Sequence, residues 1–135
     1  MRRITAKKLK KPLKEGNRQI TILIVEDDQD LRESLVTALR DESYHAIAAQ
    51  DADEAIASVK AHKVNIIFMD ICLPDMNGVK VYKAIKKIQP TATTVMMTGF
   101  FVQDLVNAAI GAGAYAILYK PFSMDDILKV IEKIR

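Results

Sequence analysis

Five short apolar runs punctuate the chain: residues 20–25 (ITILIV), 44–49 (YHAIAA), 64–69 (VNIIFM), 93–98 (TTVMMT) and 115–119 (YAILY). Apart from the weaker second run they are continuous rather than alternating. That suits strands covered on both faces, as in a parallel sheet. Between the runs, apolar residues recur at helical spacing: Leu31, Leu35 and Leu39, then Ala52, Ile56 and Val59, then Tyr82, Ile85 and Ile88. Leu105, Ala109 and Ile110 form a fourth set, and Ile127, Ile131 and Ile134 a fifth. Ser123, with Asp125 and Asp126 behind it, predicts the N-cap and acidic first turn of the last helix. A strand–helix unit repeated five times predicts an α/β domain: a doubly wound five-stranded parallel sheet, (βα)5, with right-handed crossovers and helices on both faces. Such sheets bind ligands beyond the carboxyl ends of their strands, where the strand order reverses.

The residues expected on that rim are polar. The first strand runs into Glu26, Asp27 and Asp28, and the third into Asp70. The fourth ends in Thr98, and the fifth is followed by Lys120 and Pro121. Each alone is weak: a lone acid after a strand is usually a helix N-cap, as Asp28 or Asp30 would be, and Lys-Pro is usually a surface turn. Four in register is a much stronger signal. Two carboxylates ~4 Å apart repel by about 4 kcal/mol at an effective dielectric near 20. Either one stays protonated or a cation lies between them. Oxygen ligands alone favour a hard cation, Mg²⁺ with several waters retained, or Mn²⁺. Thr98 and Lys120 turn the cluster into a phosphoryl site. The lysine and metal neutralise anionic oxygens, the hydroxyl donates to another, and Asp70 serves as the nucleophile that forms an acyl phosphate. Pro74 and Gly78 predict a stiff turn that exposes Asp70 and leads into the next helix.

Composition narrows the setting. At 135 residues, 50% of them hydrophobic, the chain suits one globular domain with a proper core. Its one cysteine, Cys72, allows no intrachain disulfide and fits a reducing, cytoplasmic location. No apolar run approaches the ~18 residues of a membrane span, and no secretory signal is expected. Charge is uneven: residues 1–18 hold eight basic residues against Glu15, a net +7, whereas the remainder holds 12 basic and 16 acidic residues, a net −4. Residues 1–18, with Pro12 and Gly16, read as a basic flexible tail or linker. A nucleic-acid or membrane-surface arm is the minor alternative. Residues 19–135 form the domain, and the tail, which enters the first strand at the end opposite the site, is expected to be dispensable for its chemistry. His45 and His62 fall away from the rim and read as structural or solvated.

The motifs ILIVEDD, IIFMDICLPDMNG, VMMTG and LYKPF, in that order, resemble the receiver domain of two-component response regulators across residues 20–135. The resemblance implies the flavodoxin-like receiver fold with strand order 2-1-3-4-5. It makes Asp70 the phosphoacceptor, Asp27 a direct metal ligand and Glu26 its partner acid acting through water. The backbone carbonyl of Cys72 becomes the third protein ligand. It makes Thr98 the hydroxyl that moves toward the phosphoryl group and Lys120 the lysine that pairs with it. The Lys120–Pro121 bond is expected cis. The implied partners are a histidine kinase or phosphotransfer protein and a downstream effector or output domain. A homodimer through residues 100–135 also follows, with no membrane partner and no nucleic-acid contact by this domain itself. The position three before the lysine is Ile117 where the family often has Tyr or Phe, which removes an aromatic rotamer switch from that position. Phe100 and Phe101 either take part of that role or pack on their loop. Cys72 and Phe100 would border the path of hydrolytic water, and neither can orient it, so slow autodephosphorylation is expected.

Three other classes fit less well. An aspartyl-phosphate phosphatase would need an acid where Cys72 stands. A flavin module would need hydroxyls and glycines where EDDQD stands. A receiver-like module that is never phosphorylated would not need the full acid, Thr and Lys set.

Overall fold

The structure, a computed structural model, describes residues 16–99 and 103–135. Among the described residues from Thr21 onward five strands and five helices alternate: β1 (Thr21–Val25), α1 (Gln29–Asp41), β2 (His45–Ala49), α2 (Ala52–Ala61), β3 (Ile66–Asp70), α3 (Gly78–Ile88), β4 (Thr93–Thr98), α4 (Gln103–Gly111), β5 (Ala116–Tyr119) and α5 (Met124–Ile134). All pairings are parallel, in the order β2-β1-β3-β4-β5. The expected doubly wound sheet is therefore present, and its order reverses between β1 and β3.

Side-chain alternation divides the core into two layers. Ile22 and Ile24 of β1, Phe68 of β3, and Val95 and Met97 of β4 pack with Leu35, Val36 and Leu39 of α1 and with Ile127 and Ile131 of α5. Leu23, Val25, Ile67, Met69 and Met96 point the other way, onto Ala55 and Val59 of α2, Tyr82 and Ile85 of α3, and Val106 and Ala109 of α4. The central strands are buried on both faces, which is why they read as unbroken apolar runs. The edge strands are not. Tyr119 of β5 is 47% exposed and the rest of that strand only half-buried. Two residues of the helical spacing also miss the core. Ile110 is 55% exposed because its neighbour Ala109 takes the inward position, and Ile88, the last residue of α3, is exposed.

Capping fixes the helix starts. Asp28 caps α1 through Leu31 N–H, and Asp51 caps α2 through Glu54 N–H. Ser123 and Asp126 form a reciprocal capping box at α5. At the opposite pole Asn17, in the stretch that leads into β1, packs against the end of α5. Asn17 is buried, its Nδ2 donates to Glu42 O at 2.7 Å, and its Oδ1 accepts from the Arg135 guanidinium. The same guanidinium donates to Tyr44 Oη at 3.3 Å. The rest of the basic tail, residues 1–15, lies outside the described residues. Asn17→Ala removes the hydrogen bonds to Glu42 O and to the Arg135 guanidinium, so it should lower unfolding stability by about 1–3 kcal/mol. A urea titration with an unshifted midpoint would show that this contact contributes nothing in solution.

Candidate phosphoryl and metal site

The site is assembled from the ends of four strands. Glu26 follows β1, Asp70 closes β3, Thr98 closes β4 and Lys120 follows β5. Glu26, Asp70 and Thr98 are buried, whereas Asp27 is exposed. Lys120 Nζ lies between two acids, 2.5 Å from Glu26 Oε1 and 2.8 Å from Asp70 Oδ2. Asp70 Oδ1 accepts Cys72 N–H at 2.8 Å, so both oxygens of this carboxylate are held. Glu26 Oε2 accepts Asp28 N–H at 3.1 Å. Thr98 O accepts Lys120 N–H at 2.8 Å, which carries the sheet register through to the lysine. The Lys120–Pro121 bond is cis.

The electrostatics follow from this packing. Burial pushes the Glu26 carboxyl above its ordinary range, against the pull of the Lys120 and Asp28 hydrogen bonds. Burial alone would depress Lys120, but its bonds to Asp70 and Glu26 outweigh that and hold the ammonium above its usual value. The two partners thus differ because Glu26 is almost wholly enclosed while Lys120 serves two carboxylates. Burial disfavours the charge on Glu26, and the two carboxylates favour the charge on Lys120. Desolvation and the Asp70 carboxylate raise the Cys72 thiol, which agrees with an inert side chain.

Glu26, Asp27 and Asp70 each offer a carboxylate oxygen within 4.8 Å of the others. Two enclosed acids, one open acid and an all-oxygen donor set fit a hard divalent cation that keeps water on its exposed side. The Cys72 peptide lies against Asp70 through its N–H. The expected residues are therefore brought together at the switch point. His45 opens β2 at the far end, and His62 caps α2, away from the rim. Ile117 packs half-buried beside the α2–α4 layer. Phe100 and Phe101 lie outside the described residues.

Three contributors escaped the sequence reading. Asn77 caps α3 through Lys80 N–H and bridges back to Cys72; the Asn-Gly pair before a periodic helix was a usable signal. Asp75 accepts Ala52 N–H at 3.2 Å and ties the loop after Asp70 to α2, a contact between distant segments that no local pattern reveals. Arg32 donates to Glu26 O at 2.8 Å and Asp27 O at 3.3 Å. Gly78 owes its identity to crowding. A Cβ there would sit 2.3 Å from Asp70 O and 2.8 Å from Ile71 Cα, so the start of α3 lies directly against the end of β3.

A doubly wound sheet with this cluster at its switch point is the receiver architecture, that of a family of phosphorylation-controlled signalling switches. The chain belongs to the response regulator receiver domain family, whose model matches residues 22–132. It is 37% identical over 114 residues to the nitrogen assimilation regulatory protein NtrX of Azorhizobium caulinodans, covering 83% of this chain and 25% of that protein. To the transcriptional regulatory protein PdtaR of Mycobacterium tuberculosis it is 38% identical, covering 82% of this chain and 54% of PdtaR. The chain thus spans a quarter to about half the length of these two relatives. It is also 34% identical to the chemotaxis protein CheY of Bacillus subtilis, covering 83% of this chain and 94% of CheY. Among solved structures, a CheY-like receiver domain protein from Methanospirillum hungatei superposes with a TM-score of 0.82 at 33% identity, covering 85% of this chain and 93% of that one. A Burkholderia pseudomallei response regulator with a phosphorylated aspartic acid, calcium ion and citrate superposes at 0.77 with 26% identity, covering 81% and 64% respectively.

Two outcomes follow from this geometry. Gly78→Ala should cost about 1–3 kcal/mol through overpacking and shift the amide resonances of Ile71 and Cys72; unshifted resonances would contradict the close approach. Lys120→Met leaves two buried carboxylates without their shared cation, a loss of about 3 kcal/mol in chelator near pH 8. Losing the lysine raises Glu26 further above the ordinary carboxyl value of 4.5. A carboxyl whose folded pKa exceeds its unfolded one weakens the fold only once the unfolded chain ionises, so the deficit should shrink near pH 5. Urea melts showing equal deficits at both pH values would count against this charge balance.

Proposed function

We propose that Asp70 is the phosphoacceptor of a two-component pathway, taking its phosphoryl group from a histidine kinase or phosphotransfer protein. The observation that supports this most is the Asp70 carboxylate held between the Cys72 N–H and the Lys120 ammonium at the mouth of the acid cluster. An Asp70 oxygen attacks phosphorus, the donor nitrogen leaves, and an acyl phosphate remains. Glu26, Asp27, Asp70 and the Cys72 carbonyl would hold Mg²⁺, or Mn²⁺, which supplies charge neutralisation for the transferred oxygens. Lys120 neutralises a further oxygen, and Thr98 donates its hydroxyl to another.

The signal is the redistribution of those bonds. Phosphorylation replaces the single charge of the Asp70 carboxylate with close to two negative charges on the acyl phosphate. Charge-assisted bonds from Thr98 and Lys120 are worth about 1.5–3 kcal/mol each. Turning a switch from mostly off to mostly on takes about 5.5 kcal/mol, which two such bonds approach. The responding surface is residues 100–135, where Ile110, Tyr115 and Tyr119 are 55%, 48% and 47% exposed. That surface serves a downstream effector, an output domain or a second copy of the domain, in a cytoplasmic setting where the kinase finds its donor. Among the described residues no helix is long and apolar enough to cross a membrane.

Intact-mass analysis with acetyl phosphate tests the assignment. One phosphoryl group should add in the presence of Mg²⁺, none in chelator, and none to Asp70→Asn on a hydroxylamine-sensitive bond. Undiminished labelling of Asp70→Asn would overturn the assignment.

A further inference from the structure

We infer that Arg32 is a positioning residue for the divalent-cation site, an inference that rests on reading the acid cluster as that site. Three successive carbonyl oxygens of the turn after β1 end on this residue. Glu26 O receives Arg32 Nη1 at 2.8 Å, and Asp27 O receives the same nitrogen at 3.3 Å. Asp28 O receives the Arg32 backbone N–H at 2.9 Å. Arg32 lies in the first turn of α1, and helical side chains lean back over the turn that precedes them. The guanidinium therefore folds over the stretch that carries the two acids.

That stretch needs support from outside the sheet. Glu26 N–H still donates to Ala49 O at 3.0 Å, the last rung toward β2. Past it the backbone leaves the ladder, and Asp27 turns out to solvent. Its direction is set by the Arg32 clasp on one side and by Asp28, which caps α1 at Leu31 N–H at 3.1 Å, on the other. Arg32 itself is half-buried, so its bonds are partly shielded from competing water. A cation held by few protein oxygens depends on the direction of each, and groups that orient ligands matter nearly as much as the ligands.

Arg32 has a second effect of opposite sign. A guanidinium beside a cation site repels the incoming ion, so its charge weakens binding while its fork strengthens it. Two substitutions separate these effects. Arg32→Lys keeps the charge but replaces the planar fork with a point ammonium, and Arg32→Gln removes both. Positioning predicts weaker binding in both variants. Charge alone predicts tighter binding in Arg32→Gln and no change in Arg32→Lys. Arg40 supplies a control. It makes the same kind of helix-to-strand bond, Nε and Nη2 to Ala46 O at 3.3 and 2.9 Å, at the far end of α1.

The test is calorimetric titration of Mg²⁺ into chelator-treated parent, Arg32→Lys, Arg32→Gln and Arg40→Gln proteins, with thermal melts in parallel. Mg²⁺ affinity should fall roughly tenfold in both Arg32 variants and stay at the parental value in Arg40→Gln, whatever its Tm. Parental or tighter affinity in Arg32→Gln overturns the inference. Should that variant fail to fold, parental affinity in Arg32→Lys overturns it instead. A parent that takes up no Mg²⁺ overturns the reading of the metal site on which the inference stands.

Discussion

One ammonium group organises this domain. Lys120 Nζ spans Glu26 and Asp70, and in doing so draws together the ends of β1, β3 and β5. Without a cation in that place, two buried carboxylates would share a pocket with nothing between them. Burying charges costs several kcal/mol unless geometry and further hydrogen bonds compensate. Here the compensation is complete on the carboxylate side: the remaining oxygens of Glu26 and Asp70 are taken by the N–H groups of Asp28 and Cys72. The rim thus holds more carboxylates than its one ammonium neutralises. Any anion added to Asp70 must reorganise it.

That dependence explains why the surrounding backbone is so tightly specified. Gly78 lets the first turn of α3 press on the carbonyl of Asp70, and Gly78 N–H donates to Ile71 O at 2.5 Å. Asp75 fastens the far side of the same loop to α2. The loop on the β1 side is fastened by the Asp28 cap and by Arg32.

Much of this was legible in the sequence, for a physical reason. A parallel sheet must bury its central strands on both faces, so β1, β3 and β4 appear as apolar runs, and the polar residues that end them stand out by contrast. Glu26, Asp27, Asp70, Thr98 and Lys120 were found by that contrast and are brought to one rim. Edge strands give no such signal: His45 and Ala48 of β2 are exposed, and β5 is half-buried apart from its exposed last residue, Tyr119. Asp75 and Arg32 were missed because each bonds to backbone groups, which carry no side-chain signature, and Asn17 because its partners, Glu42 and Arg135, are distant in sequence. Periodicity also overstated the core at Ile110, since adjacent helical residues lie about 100° apart and Ala109 already faces inward.

The Asn17–Arg135 contact has a mechanical meaning. It joins the stretch entering β1 to the end of α5 at the pole opposite Asp70, with Tyr44 beneath. β1 alone, five residues long, puts about 17 Å between that pole and the rim. A pull applied through these two stretches of chain would load their mutual contact first and leave the sheet slack. Tension is short-circuited at the base, and the chemistry above it is insulated from whatever tugs below.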